Sequence, residues 1–187
     1  MSIKNHLAGI LEELKQHSEK LDHRQLEGYA EEIAAAKRIY AAGAGRSGLA
    51  MWAFAMRLMH LGKEVHVLGD VTAPHTYPGD LLLIGSGSGE TKSLVAAAEK
   101  AKSCGMRVAL NTIDGGSTLA KLADVVLLLP GASPKVRRGT EQAASIQPMG
   151  SSYEQLSWLV YDAVVMALME KLGQTGDEMF MRHANLE

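Results

Sequence analysis

Five short runs rich in Val, Ile, Leu and Ala punctuate this chain at intervals that suit one kind of architecture. RIYAAG, EVHVLG, DLLLIGSG, RVALNT and DVVLLLP carry little of the apolar–polar alternation of a half-solvated strand. Such runs fit parallel strands buried on both faces. Between most of them lie helix-length stretches, SGLAMWAFAMRLMHLG and ETKSLVAAAEKAKSCG, and the shorter STLAKLA. The second link, VTAPHTYPGD, is the exception, because its Pro and Gly leave little room for a full helix. Strand alternating with helix predicts an α/β three-layer sandwich around a doubly wound, mostly parallel sheet of about five strands. A length of 187 residues predicts a single domain. It divides into N-terminal helices over 1–37, a sheet core over 38–130, a loop over 131–151, and a C-terminal helix with a tail over 152–187.

The flanking segments read as helices. Ile3, Leu7, Ile10, Leu11 and Leu14 recur at helical spacing, and Asp22 with Gln25 has the form of a capping box before a second helix through Ile33. SSYEQLSWLVYDAVVMALMEKLG is apolar almost all round, which calls for burial on more than one side and predicts an oligomer contact. Cys104, the lone cysteine, falls at the expected end of a helix and reads as a structural thiol.

Two strand-to-helix corners carry the functional signal. GAGRSG, residues 43–48, matches the dinucleotide fingerprint G-x-G-x-x-G, with Asp70 near the position of a ribose-binding acid. The second corner argues against a nicotinamide enzyme. Ser86, Gly87, Ser88, Gly89, Glu90 and Thr91 form a hydroxyl-lined loop after the third strand, which a dinucleotide does not need. Asp70 is as readily a turn residue, and the chain has no room for a separate catalytic domain. Helix N-termini present unpaired N–H groups and partial positive charge, glycines admit a close anion, and hydroxyls donate to it. A pair of such corners suits one small phosphorylated ligand, with Ser47 and Arg46 beside it.

Charge adds no broader partner. There are 19 Lys and Arg against 21 Asp and Glu, a formal net charge of −2, so nothing favours nucleic acid or an anionic membrane. The charged opening MSIKNHLAGILEELKQ lacks the apolar core of a signal peptide, and a soluble, cytoplasmic protein is expected. No His, Cys, Asp or Glu cluster has metal-ligand spacing, so no metal or cofactor is expected, and His60 and His66 read as packed or surface residues.

GAGRSG and SGSGET, each after a strand, resemble the phosphosugar-binding corners of sugar isomerase (SIS) domains. FAMRLMHLG at 54–62, SIQPMGSSYE at 145–154 and RHANLE at 182–187 narrow the resemblance to the 6-phospho-3-hexuloisomerases. One departure is the link VTAPHTYPGD, where the family more often shows ThrPro followed by small apolar residues. The resemblance implies a cofactor-free, single-domain isomerase, typically tetrameric. Such enzymes interconvert 3-hexulose 6-phosphate and fructose 6-phosphate in the ribulose monophosphate pathway of formaldehyde fixation. It implies phosphosugar binding by Ser47 and the loop 86–91, and proton transfer by Glu154. From spacing alone, Ser151-x-x-Glu154 equally suits a capping box. His183 is a second catalytic candidate, since histidine commonly serves as an acid or base in enzymes, and it lies on a tail able to reach a neighbouring subunit. Two other readings fit the same corners: a phosphosugar-sensing regulatory module without chemistry, and an isomerase of another phosphosugar.

Overall fold

Alternate residues of the strands face two separate cores, and this alternation sets the three layers. The computed structural model describes residues 2–136 and 145–186. Its strands are β1 (Arg38–Gly43), β2 (Glu64–Val67), β3 (Leu81–Gly85), β4 (Arg107–Thr112) and β5 (Val125–Leu128). They form one all-parallel sheet in the order β2-β1-β3-β4-β5. Ile39, Ala41, Leu81, Leu83, Ala109 and Leu127 point to one face; Tyr40, Ala42, Leu82, Ile84, Val108 and Leu110 point to the other.

Helices α1 (Ile3–Ser18), α2 (His23–Ala35), α3 (Gly45–His60) and α6 (Ser151–Leu172) cover the first face. Their contributions to that core include Leu14, Ile33, Phe54 and Leu156. Helices α4 (Lys92–Ser103) and α5 (Thr118–Leu122) cover the second through Leu94, Ala98 and Leu119. Burying both faces is what removes polar alternation from the strands, so the expected doubly wound sandwich is the observed one. Cys104 caps the C-terminus of α4, where the sequence put it.

The link between β2 and β3 contains no helix, as its composition predicts. Side chains hold it instead. Arg38 donates to both oxygens of Asp80 at 3.2 and 2.8 Å, and its guanidinium lies 4.7 Å from the Tyr77 ring centre. The Tyr40 hydroxyl donates to the carbonyls of Pro74 and His75. Asp22 caps α2 by accepting from the Gln25 N–H. The tail contains a short helix, α7 (Gly176–Phe180), fixed by a reciprocal capping box between Thr175 and Glu178. Of the irregular 131–151 segment, residues 137–144 lie outside the described residues. Among the described residues no helix is long and apolar enough to cross a membrane.

Candidate active site

The strand order reverses direction at β1 and β3, and in an open α/β sheet that switch point leaves a crevice at the carboxyl edge. Gly43 and Gly85, the last residues of those strands, are register partners, so the two glycine-rich corners emerge side by side. Between them opens a cavity of about 390 Å³. Its floor is Ala44–Ser47 from one corner and Gly85–Ser88 with Thr91 from the other. Ser133–Lys135, Met149–Ser151, Tyr153 and Glu154 form its walls.

Both corners are tight turns into the first residues of a helix. A Cβ at Gly43 would lie 2.7 Å from the Gly48 Cα, so only glycine lets the chain fold back this tightly into α3. Ala44, the N-cap of α3, supplies no side-chain acceptor, which leaves the first N–H groups of the helix for a ligand. At the second corner the Ser86 Oγ accepts from the Gly89 N–H at 3.2 Å and the Ser88 Oγ accepts from the Glu90 N–H at 3.4 Å. Each serine thus braces its own loop as an acceptor and retains its hydroxyl proton to donate. Thr91 caps α4 through its backbone, with no side-chain cap bond. Two helix N-termini, each worth about half a positive charge, converge on one cavity.

Gly89 and Glu90 serve the loop rather than the cavity lining. Gly89 has φ +61°, and a Cβ there would stand 2.0 Å from the Ser117 Oγ. The Glu90 carboxylate accepts from the Thr118 N–H and hydroxyl at 2.9 and 2.8 Å, at the start of α5. The sequence grouped both with the ligand contacts because loop membership is legible and side-chain direction is not. Asp70 lies in the turn after β2, its carbonyl accepting from the Ala73 N–H.

Glu154 is not the partner of a Ser151 cap. Gly150 occupies the N-cap of α6 and makes no side-chain cap bond, so the capping-box reading fails. Instead Glu154 Oε2 accepts from Arg46 Nε at 2.5 Å, the Glu154 side chain 18% exposed and that of Arg46 65%. Met149, just before this turn, has φ 60°, a left-handed conformation that strains a non-glycine residue by about 1–2 kcal/mol. Behind the floor, a buried network pins α6 to the sheet. The Tyr161 hydroxyl donates to Asn111 Oδ1 at 2.9 Å, Asn111 Nδ2 to the Ser157 hydroxyl, and the Tyr153 hydroxyl to the Asn111 carbonyl at 3.0 Å. Burial drives the Tyr153 pKa far above the ordinary tyrosine value, so this wall residue stays a neutral donor and cannot serve as a base.

The family model of the SIS domain matches residues 32–158. The chain belongs to the SIS-domain family. It is 44% identical to a 3-hexulose-6-phosphate isomerase of Bacillus subtilis, with all of both chains aligned. A 3-hexulose-6-phosphate isomerase of Mycobacterium gastri is 43% identical across 99% of this chain and 92% of its own. Among solved structures, a Methanococcus jannaschii protein superposes with a TM-score of 0.79 at 29% identity, covering 98% of this chain and 99% of that one. Its structure is described as inferring a 3-hexulose-6-phosphate isomerase function.

The matched span of the SIS domain includes both corners and Glu154 and ends before the tail. One chain does not bring His183 to the cavity. The His183 ring stacks on His60, centroids 5.2 Å apart, and His60 is the last residue of α3, whose first turn forms the cavity floor. Roughly 22 Å of helix separates the two ends. Arg182 holds the tail there, donating to the His60 carbonyl at 2.9 Å and to Gln174 Oε1 at 2.8 Å. His60 is buried, and the His66 ring lies tilted against that of Tyr40, centroids 5.4 Å apart, and approaches Glu64, so both are packed residues. Sequence reasoning missed Lys135, Ser133 and Tyr153 as cavity residues. All three come from segments after the last strand, where no motif announces which way a loop turns.

Proposed function

We propose that this SIS domain is a 3-hexulose-6-phosphate isomerase, interconverting 3-hexulose 6-phosphate and fructose 6-phosphate in the ribulose monophosphate pathway of formaldehyde fixation. The observation that carries the reading is one cavity with two helix N-termini at its floor and the Arg46–Glu154 pair in its wall. The identity of 43–44% to full-length relatives of that name supports the choice of sugar.

In this reading the phosphate lies against the N–H groups and hydroxyls of Ser47, Ser86, Ser88 and Thr91, and Gly87 leaves room for it. Glu154 removes the hydrogen from carbon 2 of the 3-ketose. The C–H electron pair becomes the C2=C3 bond of an enediolate, and the carbonyl electrons move to the oxygen on carbon 3. The Arg46 guanidinium, already at the carboxylate, stabilises that charge. Glu154 then returns the proton to carbon 3, while the carbon 2 hydroxyl passes its proton by way of solvent to the oxygen on carbon 3, so that the new carbonyl forms at carbon 2 and a hydroxyl at carbon 3. General acid–base transfer of this kind contributes roughly 10²–10⁴-fold.

Fructose 6-phosphate incubated with the protein in deuterium oxide tests the reading by NMR. The expected result is deuterium at carbon 3 of fructose 6-phosphate and the appearance of the 3-ketose. Exchange at carbon 1 identifies an aldose-forming isomerase, and no exchange identifies a sensing module. His183 enters catalysis here only from a second copy, and deletion of 182–187 with normal turnover removes it. A homo-oligomer, a tetramer by family resemblance, fits the exposed Leu49, Trp52 and Met56 of α3 and Trp158, Leu159 and Met166 of α6. Sedimentation equilibrium checks it.

A further inference from the structure

We propose that Lys135 is a substrate-binding residue that supplies a cation for the phosphate end of the ligand. This rests on the isomerase reading for the identity of the ligand, but its own basis is the charge inventory of the cavity. Three charged side chains line the cavity among the described residues: Arg46, Lys135 and Glu154. Arg46 and Glu154 are bound to each other, so their charges offset locally. Lys135 is the surplus, and no described residue accepts from its ammonium. A sugar phosphate brings about two negative charges. The protein as a whole has a net charge of −2, so a cation at the cavity must act locally rather than through a basic surface.

The position of Lys135 is built, not incidental. The connection after β5 is pinned before it and after it. Gly131 packs so closely on α6 that a Cβ there would lie 2.8 Å from the Tyr153 Cβ. Val136 is buried in the larger core. Between these anchors a turn closes, with the Val136 N–H donating to the Ser133 carbonyl at 3.1 Å and the Lys135 N–H to the Ser133 Oγ at 3.3 Å. A tethered turn thus holds the lysine at the wall of a cavity whose floor already supplies N–H and hydroxyl donors. Lysine suits the role, because a point charge on a flexible stem follows a phosphate whose sugar rearranges during turnover.

The test compares the full-length protein with Lys135→Met, which keeps the stem, and Lys135→Arg, which keeps the charge. Inorganic phosphate affinity is measured by calorimetry, and KM and kcat with fructose 6-phosphate, at low and high salt, with circular dichroism as the check on folding. Lys135→Met is expected to weaken phosphate binding and raise KM about fivefold at low salt, the upper yield of a solvent-exposed charge contact. The loss falls on KM more than on kcat, shrinks as salt rises, and is largely restored in Lys135→Arg. A folded Lys135→Met with wild-type phosphate affinity and KM overturns the role while leaving the isomerase reading intact. Lysine-dependent phosphate binding by a wild-type protein that exchanges no deuterium does the reverse.

Discussion

The Arg46 guanidinium lies 2.5 Å from Glu154 Oε2, joining the first turn of α3 to the first turn of α6 across 108 residues of chain. The contact brings the positive charge an enediolate needs against the carboxylate that would make it. Glu154→Gln preserves size and hydrogen bonding but cannot take up a proton. Its expected kcat is about 10²–10⁴-fold below wild type. Stability should change by no more than about 1 kcal/mol, because Arg46 is mostly in solvent and exposed pairs are weak. Turnover and a urea melt read the two quantities separately. Turnover within twofold of wild type removes Glu154 from the chemistry.

Gly89 tests whether the second corner depends on its backbone. At φ +61°, with a Cβ 2.0 Å from the Ser117 Oγ, alanine is both strained and in collision. Gly89→Ala is expected to cost at least about 1 kcal/mol from the left-handed conformation alone, with the collision added. The Ser86 and Ser88 hydroxyls brace the same loop, so KM should rise as stability falls. Denaturant unfolding and KM measured on one preparation check the coupling. A variant with both values unchanged shows that the loop is not held by this contact.

A pair of buried tyrosines separates a satisfied hydroxyl from an unsatisfied one. Tyr161→Phe deprives Asn111 Oδ1 of its donor in a dry interior and is expected to cost about 1–3 kcal/mol, although the stack on Phe54 survives. The Tyr29 hydroxyl is equally buried but has no hydrogen-bond partner among the described residues. Tyr29→Phe therefore removes a desolvated group at no cost in contacts and should leave stability unchanged or raise it. Urea midpoints of the two variants, measured side by side, test the sign. Equal destabilisation by both would mean that the Tyr29 hydroxyl has found a partner.

The sandwich was legible because burial on two faces leaves a local mark: Leu81 to Ile84 are all apolar, and each faces one of two cores. The two corners were legible as turns for a similar reason, since glycine and hydroxyl residues between a strand and a helix mark a helix start, whether as caps or as a ligand cradle. The wall of the cavity was not. Ser151-x-x-Glu154 has the local form of a cap, and only the distant Arg46 reveals what the carboxylate does instead. Glu90 is a loop acid aimed at Thr118 by tertiary packing that no spacing encodes. Lys135 sits on a turn whose direction depends on Gly131 meeting Tyr153. RHANLE was legible as a motif, but the docking of its Arg182 and His183 on the far end of α3 was not.

That docking predicts a pH effect. Burial, then the Arg57 guanidinium, then the His183 ring hold the His60 pKa below its ordinary value of 6.5. Arg57 lies 3.2 Å from His60 Nδ1, Arg182 donates to the His60 carbonyl, and Asp162 of α6 lines the same recess as His60 and His183. As pH falls below about 6.5 the unfolded chain binds a proton before the folded one does, so stability rises with pH in this window and declines toward acid. A proton on His60 would face Arg57 and weaken the stack that seats the tail. His60→Phe keeps a ring against His183 and removes the titration. The expected result is a smaller drop in melting temperature between pH 7.5 and 5.5 in His60→Phe than in wild type. Tryptic cleavage after Arg182 should likewise accelerate toward acid in wild type, relative to an unstructured control peptide, and less so in the variant. Identical slopes in the two proteins would assign the acid sensitivity to groups other than His60.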